Sequence, residues 1–185
     1  MRNVPELAAL AERVEAIIRD NTDKDQSIPH NIPLIKEAGL DSLDMIETSF
    51  ALEEFFGFQF SDQNAIESLA DRLEEGMLID ETASLTPLGR EMVQKRMPEL
   101  AHVDLPDPLR MVELQQYYTV ETFARLMREF YLAAPDTCPE SGEAVVLDGF
   151  KIVTVESRRT VEVPTGDQLI EAWVTKTAEE LKQRA

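Results

Sequence analysis

Apolar residues recur at spacings of three and four through most of the first 134 residues, and the pattern turns strand-like only after Pro135. A chain patterned this way buries helical stripes against one another and leaves room for a small sheet near its C-terminal end. Leu7, Leu10, Val14, Ile17 and Ile18 predict a first helix over residues 4–20. Asn21–Leu40 contains Pro29 and Pro33 and ends in Gly39-Leu40; a loop of that length in a compact domain is functional or tied down by side chains. Asp41 as N-cap, Asp44 in the first turn and Gly57 as a stop predict a second helix over Ser42–Phe56. Its inward stripe is Met45, Ser49, Leu52 and Phe56, helped by Ile46, while Leu43, Glu47, Phe50 and Glu54 form a neighbouring stripe of mixed apolar and acidic character. A third helix follows Ser61, with Ile66, Leu69, Ala70 and Leu73 spaced for burial, and stops at Gly76.

Further along, Thr86 as cap and Pro87 at the first helical position predict a helix to about Met97, and Pro98, Pro106 and Pro108 keep the connection beyond it irregular. Met77–Met92 carries a short likeness to the wing-to-helix segment of winged-helix regulators, but it has no basic recognition helix and reads as a structural excursion. Thr119 caps another amphipathic helix with Val120, Phe123, Leu126, Met127 and Phe130 on one side. Val145–Leu147 and Phe150–Val153 flank Asp148-Gly149, which predicts a hairpin with that pair as its two-residue loop, and a third strand is expected over Thr160–Val163. The last helix is capped by Thr165 with Gln168 completing a capping box; its stripe of Leu169, Ile170, Trp173 and Leu181 is expected to cover the hairpin.

Charge removes whole classes of function. With 36 acids against 18 bases the net charge is −18, and the surface repels nucleic acid and anionic lipid while favouring basic protein partners. Residues 1–75 hold 17 of the acids and 6 of the bases, so the N-terminal part is the more acidic per residue. One cysteine, Cys138, excludes an intrachain disulfide. Cys138-Pro139-Glu140-Ser141-Gly142 looks like half a zinc knuckle with Ser141 where a second cysteine would stand; with His30 and His102 far off in sequence, no metal site is expected. Neither a nucleophile with its base nor a paired-carboxylate cleft is present, so no catalytic residue is assigned and the chain is not expected to be an enzyme. No signal peptide and no membrane-length apolar run occur, which gives a cytoplasmic monomer without membrane insertion as the expectation.

The most specific run is Gly39-Leu40-Asp41-Ser42-Leu43-Asp44-Met45-Ile46-Glu47. Asp-Ser at a helix start is by itself ordinary capping chemistry. The whole run, however, resembles the attachment site of acyl carrier proteins, which place Asp-Ser-Leu at the start of the second helix of a four-helix bundle. The likeness continues through Ala51-Leu52-Glu53-Glu54-Phe55-Phe56 and covers about residues 4–75. It implies a mainly α fold: an acyl-carrier-like four-helix bundle with a helical insertion, then a small α+β extension of hairpin plus helix. On that reading residues 1–76 hold bundle helices one to three, 77–118 the insertion, 119–134 the last bundle helix and 135–185 the extension. Thr119–Ala124 is the best match to the family's fourth helix; the rival is that Ile66–Glu75 already closes the bundle.

The resemblance also implies function. Ser42 would carry 4′-phosphopantetheine, flanked by Asp41 and Leu43, after a phosphopantetheinyl transferase takes the arm from coenzyme A. The arm would hold acyl or related groups as thioesters for acyl-loading and acyl-transferring enzymes with basic docking patches. Asp44, Glu47, Phe50 and Glu54 would recognise those partners, with Leu43 adding apolar contact. Fatty-acid, polyketide and amino-acid cargoes all remain open, although Asp-Ser-Leu is closer to the acyl type. The alternative is a carrier-fold interaction module that is never modified.

Overall fold

The computed structural model describes residues 4–22 and 24–184. Its helices are α1 (Leu7–Thr22), α2 (Ser42–Phe56), α3 (Ala65–Ala70), α4 (Pro87–Arg96), α5 (Val120–Ala133) and α6 (Gly166–Arg184), and its hairpin is β1 (Val145–Asp148) with β2 (Lys151–Thr154). Short 3-10 segments at Pro98–His102 and Met111–Tyr117 fill the stretch between α4 and α5. The interior divides into two cores.

The first core lies between α1, α2, α5 and the hairpin. Leu10, Ala11, Val14, Ile17 and Ile18 form the buried face of α1, which packs on both α2 and α5. Phe123 of α5 and Leu52 of α2 sit in this same core. Its centre is a chain of rings: Phe58 stacks on Phe130 at 4.7 Å between centroids, and Phe56 meets Phe58 at 6.0 Å and Phe150 edge-on at 5.6 Å. Offset and edge-to-face pairs of this kind add to the stabilisation from burial alone.

The hairpin forms one residue out of step with expectation. Asp148 pairs with Lys151, so the two loop residues are Gly149 and Phe150. Gly149, at φ 62°, takes the left-handed backbone. This register puts the Phe150 ring against Phe55 and Phe56, with its carbonyl accepting the Tyr131 hydroxyl. Burial of the aromatic ring overrides the local Asp-Gly signal. The expected strand over Thr160–Val163 is absent: a turn through Arg158, at φ 56°, leaves a single bridge from Val153 to Thr160 before Pro164 ends the pairing.

The second core gathers Ile66 and Leu69 of α3, Met92 and Val93 of α4, Leu100, Leu109 and Leu114 of the irregular stretch, and Val174, Ala178 and Leu181 of α6. A six-residue helix is far too short to persist alone. Here α6 holds α3 in place: Arg72 grips both Glu171 carboxylate oxygens at 2.7 and 2.6 Å, Ser61 bonds Asp167, and Gly166 N–H donates to Gln59 O at 2.7 Å. A Cβ on Gly166 would stand 2.4 Å from Ser61 N, so the two backbones touch only because that residue is glycine. Trp173 accordingly packs in the second core, and α6 does not cover the hairpin as its position in sequence suggested. The buried face of α6 runs through Val174, Thr177, Ala178 and Leu181, with Leu169, Ile170 and Trp173 half-buried beside it.

A polar seam joins the two cores. Arg96 at the end of α4 holds both carboxylate oxygens of Glu129 on α5 and lies over the Trp173 ring. Arg125 on α5 contacts Glu121 at 2.8 Å and Glu99 at 3.3 Å. Burial pushes the Glu99 carboxyl above its ordinary range despite hydrogen bonds from its own backbone N–H and the Thr122 hydroxyl and the nearby Arg125 charge.

Candidate functional site

The site is assembled from the loop before α2 and from the outer face of α2. Side chains of α1 pin that loop: Arg19 donates to the carbonyls of Lys24 and Asp25, and Glu15 accepts Ile28 N–H at 2.9 Å. Partial burial works against the Glu15 charge, yet the Ile28 N–H, the Ser27 hydroxyl, Arg19 and His30 together hold its carboxyl below the usual range. Leu34 and Leu40 plug into the first core, and Lys24 Nζ donates to Gly39 O at 3.1 Å where the chain turns at φ 74°. The long loop is therefore tied down, and it delivers Ser42 to a fixed place.

Asp41 caps α2 as expected. Its Oδ1 accepts Leu43 N–H at 2.8 Å and Asp44 N–H at 2.9 Å, while Asp44 Oδ2 accepts Asp41 N–H at 2.9 Å, completing a capping box. Ser42 follows as the first helical residue, exposed to solvent. Two of the N–H groups at this helix tip are already satisfied and two carboxylates already sit there, so a phosphate on Ser42 would be held away from the tip and kept in water. This keeps an attached group mobile.

The outer face of α2 is apolar and acidic together. Leu43 is 60%, Ile46 53% and Phe50 66% exposed, an unusual concentration of large apolar side chains on one helix face. Glu47 and Glu54 are exposed beside them, and Asp44 is half-buried. Ile46, expected to turn inward, instead faces solvent. Thr48, together with Leu52 and Phe56, fills the buried face. Leu43, Ile46 and Phe50 at i, i+3 and i+7 could have been recognised as one stripe.

Residues 12–72 match the family described as "Phosphopantetheine attachment site". The acyl carrier proteins of Helicobacter pylori strains G27 and HPAG1 are each 41% identical to this chain over 59 residues, which make up 31% of this chain and 74% of the relative. The chain belongs to the acyl carrier protein family. No solved structure matches it significantly. Membership implies a covalently attached 4′-phosphopantetheine and a carrier that is not itself an enzyme.

The residues present fit that group. An acyl carrier protein needs one hydroxyl reachable by an enzyme, on a rigid element, with open space beyond it; Ser42 is exposed on a capped helix whose preceding loop is anchored at Leu34, Gly39 and Leu40. Among the described residues no group of three or more His, Cys, Asp or Glu could hold a metal, and no helix is long and apolar enough to cross a membrane. Cys138 sits in a tight turn in which the Ser141 hydroxyl and the N–H groups of Ser141 and Glu140 hold its thiol below the ordinary value.

Proposed function

We propose that Ser42 is the attachment point of 4′-phosphopantetheine and that the arm carries acyl thioesters between cytoplasmic biosynthetic enzymes. The exposure of Ser42 at the first position of α2, next to the Leu43, Ile46 and Phe50 ridge, carries this reading. The arm supplies a thiol on a long tether; the chain's own contribution is to hold the tether's root and to present a docking face. Asp44, Glu47 and Glu54 attract basic patches on the enzymes that load and transfer the acyl group, which affects association rate and partner choice more than lifetime. Leu43, Ile46 and Phe50 add contact area, while Asp41 keeps Ser42 in register by capping.

The same reading treats α1, α2 and α5 as bundle helices, with residues 77–118 inserted before the last of them. In its favour, α5 shares the first core with α1 and α2.

Incubation with a phosphopantetheinyl transferase and coenzyme A, read by intact mass, tests the assignment. The wild-type chain should gain one phosphopantetheine and Ser42→Ala none, with no change in thermal midpoint because the side chain is exposed. A wild-type chain that stays unmodified would support the unmodified interaction module instead; modification that persists in Ser42→Ala would place the arm elsewhere.

A further inference from the structure

Residues 77–118 contribute nothing to the buried part of the first core, yet the corner where they run into α5 touches the loop that leads to Ser42. At this corner, residues 117–121, two backbone hydrogen bonds of opposite direction cross to the loop. Leu34 N–H donates to the Tyr118 carbonyl at 2.8 Å, and Glu121 N–H donates to the His30 carbonyl at 3.0 Å. The Lys36 ammonium lies over the Tyr117 ring, 5.6 Å from its centroid. Three features set the corner apart from a passing contact.

First, both bonds are ones that the backbone needs. Glu121 is the second residue of α5, where an N–H has no partner within its own helix; Thr119 Oγ1 takes the next N–H, that of Thr122, and the loop takes the one on Glu121. Leu34 is fully buried, so water cannot stand in for the Tyr118 carbonyl. Second, the corner is held from behind by the second core. Leu114 is buried there, and Tyr117 and Tyr118 pack against it. Glu99, in the 3-10 segment Pro98–His102, accepts the Thr122 hydroxyl and lies 3.3 Å from Arg125, which also holds Glu121. Third, the path from the corner to the serine is short. Leu34 O accepts Leu40 N–H and Pro33 O accepts Ala38 N–H, both at 3.0 Å, which closes residues 33–40 into one tight unit. Leu40 immediately precedes Asp41, the cap of α2, so a shift of Leu34 passes directly to the start of that helix.

We propose that the corner at residues 117–121 is a positioning element for Ser42: the second core carries it into place, and it holds the attachment loop still while a transferase works on the serine. The assignment rests on the carrier reading above and gives residues 77–118 a role in it. Glu121 acts through its N–H on the His30 carbonyl and touches no reacting group, so its effect is on placement.

Amide hydrogen exchange of the full apo chain, paired with initial rates of phosphopantetheine transfer from coenzyme A by a phosphopantetheinyl transferase, tests this. In the wild type the Leu34 amide should exchange at least about a hundredfold more slowly than an unstructured amide. Glu121→Pro removes the N–H that bonds His30 and no hydrogen bond of the helix, because a first helical turn accepts proline. It should speed exchange at Leu34 and Leu40 about tenfold, and lower kcat of transfer about three- to fivefold with KM within about twofold, since the outer face of α2 is unchanged. Glu121→Ala keeps the N–H and loses only the Arg125 ion pair, so its kcat should lie within about twofold of wild type. Circular dichroism checks that the proline variant folds, and the wild-type exchange of Leu34 decides the matter should it not. An unprotected Leu34 amide in the wild type, or a Glu121→Pro variant that is modified as fast as Glu121→Ala, would overturn the proposal. A wild-type chain that accepts no phosphopantetheine would refute the carrier reading instead, and the exchange of Leu34 would still decide whether the corner holds the loop.

Discussion

Between α1, α2 and α5 the aliphatic interior is threaded by a run of packed aromatic rings, whereas beneath α3, α4 and α6 it is aliphatic and thioether, with Trp173 and the Tyr117–Tyr118 pair only at its margin. The elements differ as well. The first core is made by helices of 14 to 16 residues, each with its own periodic stripe, while the second collects a six-residue helix, two 3-10 segments and irregular chain around α4 and α6. Segments that short cannot order themselves; they fold because each supplies one or two side chains to a shared interior. Ser42 and the proposed docking ridge rest mainly on the first core, with the loop before α2 also tied to the second core's margin by the Leu34 N–H on the Tyr118 carbonyl at 2.8 Å, and the second core fixes α3 against α6. On the proposed reading, the part that presents Ser42 is thus largely distinct from the part that holds α3 and α6 together.

Cavity-forming substitutions would test that separation most severely. Leu52→Ala in the first core and Leu69→Ala in the second are both fully buried positions, and each should cost about 2–5 kcal/mol. Trp173 is the chain's one tryptophan and lies in the second core, so its fluorescence reports that core while far-ultraviolet circular dichroism reports mainly the helices. With the seam intact, both probes should share one midpoint in either variant; two midpoints in Leu69→Ala would show the cores to be independent units.

A smaller effect is expected at the seam itself. Arg96→Ala strips Glu129 of its partner and Trp173 of its cation contact, at a cost of about 1–3 kcal/mol, and should part the fluorescence and dichroism transitions that Leu69→Ala leaves together. Coincident transitions in Arg96→Ala would mean that apolar contacts alone couple the cores.

The smallest effect is a pH dependence. The folded Glu99 carboxyl lies above its unfolded value, so it binds its proton more tightly in the native state. Its contribution is fully present below the unfolded value of about 4.3 and is lost as pH rises through the folded value. Glu99→Gln should flatten that part of the stability curve and stabilise the protein at neutral pH by about 1 kcal/mol or less. Parallel thermal midpoints for the two proteins from pH 4 to 8 would show that Arg125 already offsets the burial.

Much of the site was legible in the residues. Asp41, Ser42 and Asp44 announce a capped helix because capping is local chemistry, settled by groups within three residues of one another. The same holds for Thr119 with Thr122 and for Thr165 with Gln168, whose capping pairs are present in the structure. The outward turn of Ile46 was not legible, because a helix stripe gives a periodicity without saying which side faces the interior; α1 and the position of Leu52 made that choice. The meeting of Arg13, Phe55 and Phe150 was invisible for a similar reason, since they are brought together from three separated stretches of chain.

What the sequence determined by itself was the place of the six α-helices, the caps at Asp41, Thr86, Thr119 and Thr165 and the exposed serine, since each depends on hydrogen bonds and side-chain periods that span a turn or two. The third helix, expected to run to Gly76, is only Ala65–Ala70 and is capped by Asn64. Tertiary structure alone decided the hairpin register, the partner of α6 and the orientation of Ile46. Those depend on which apolar surfaces meet, and burial of Phe150 among Phe55, Phe56 and Tyr131 outweighs the weak preference of a two-residue turn.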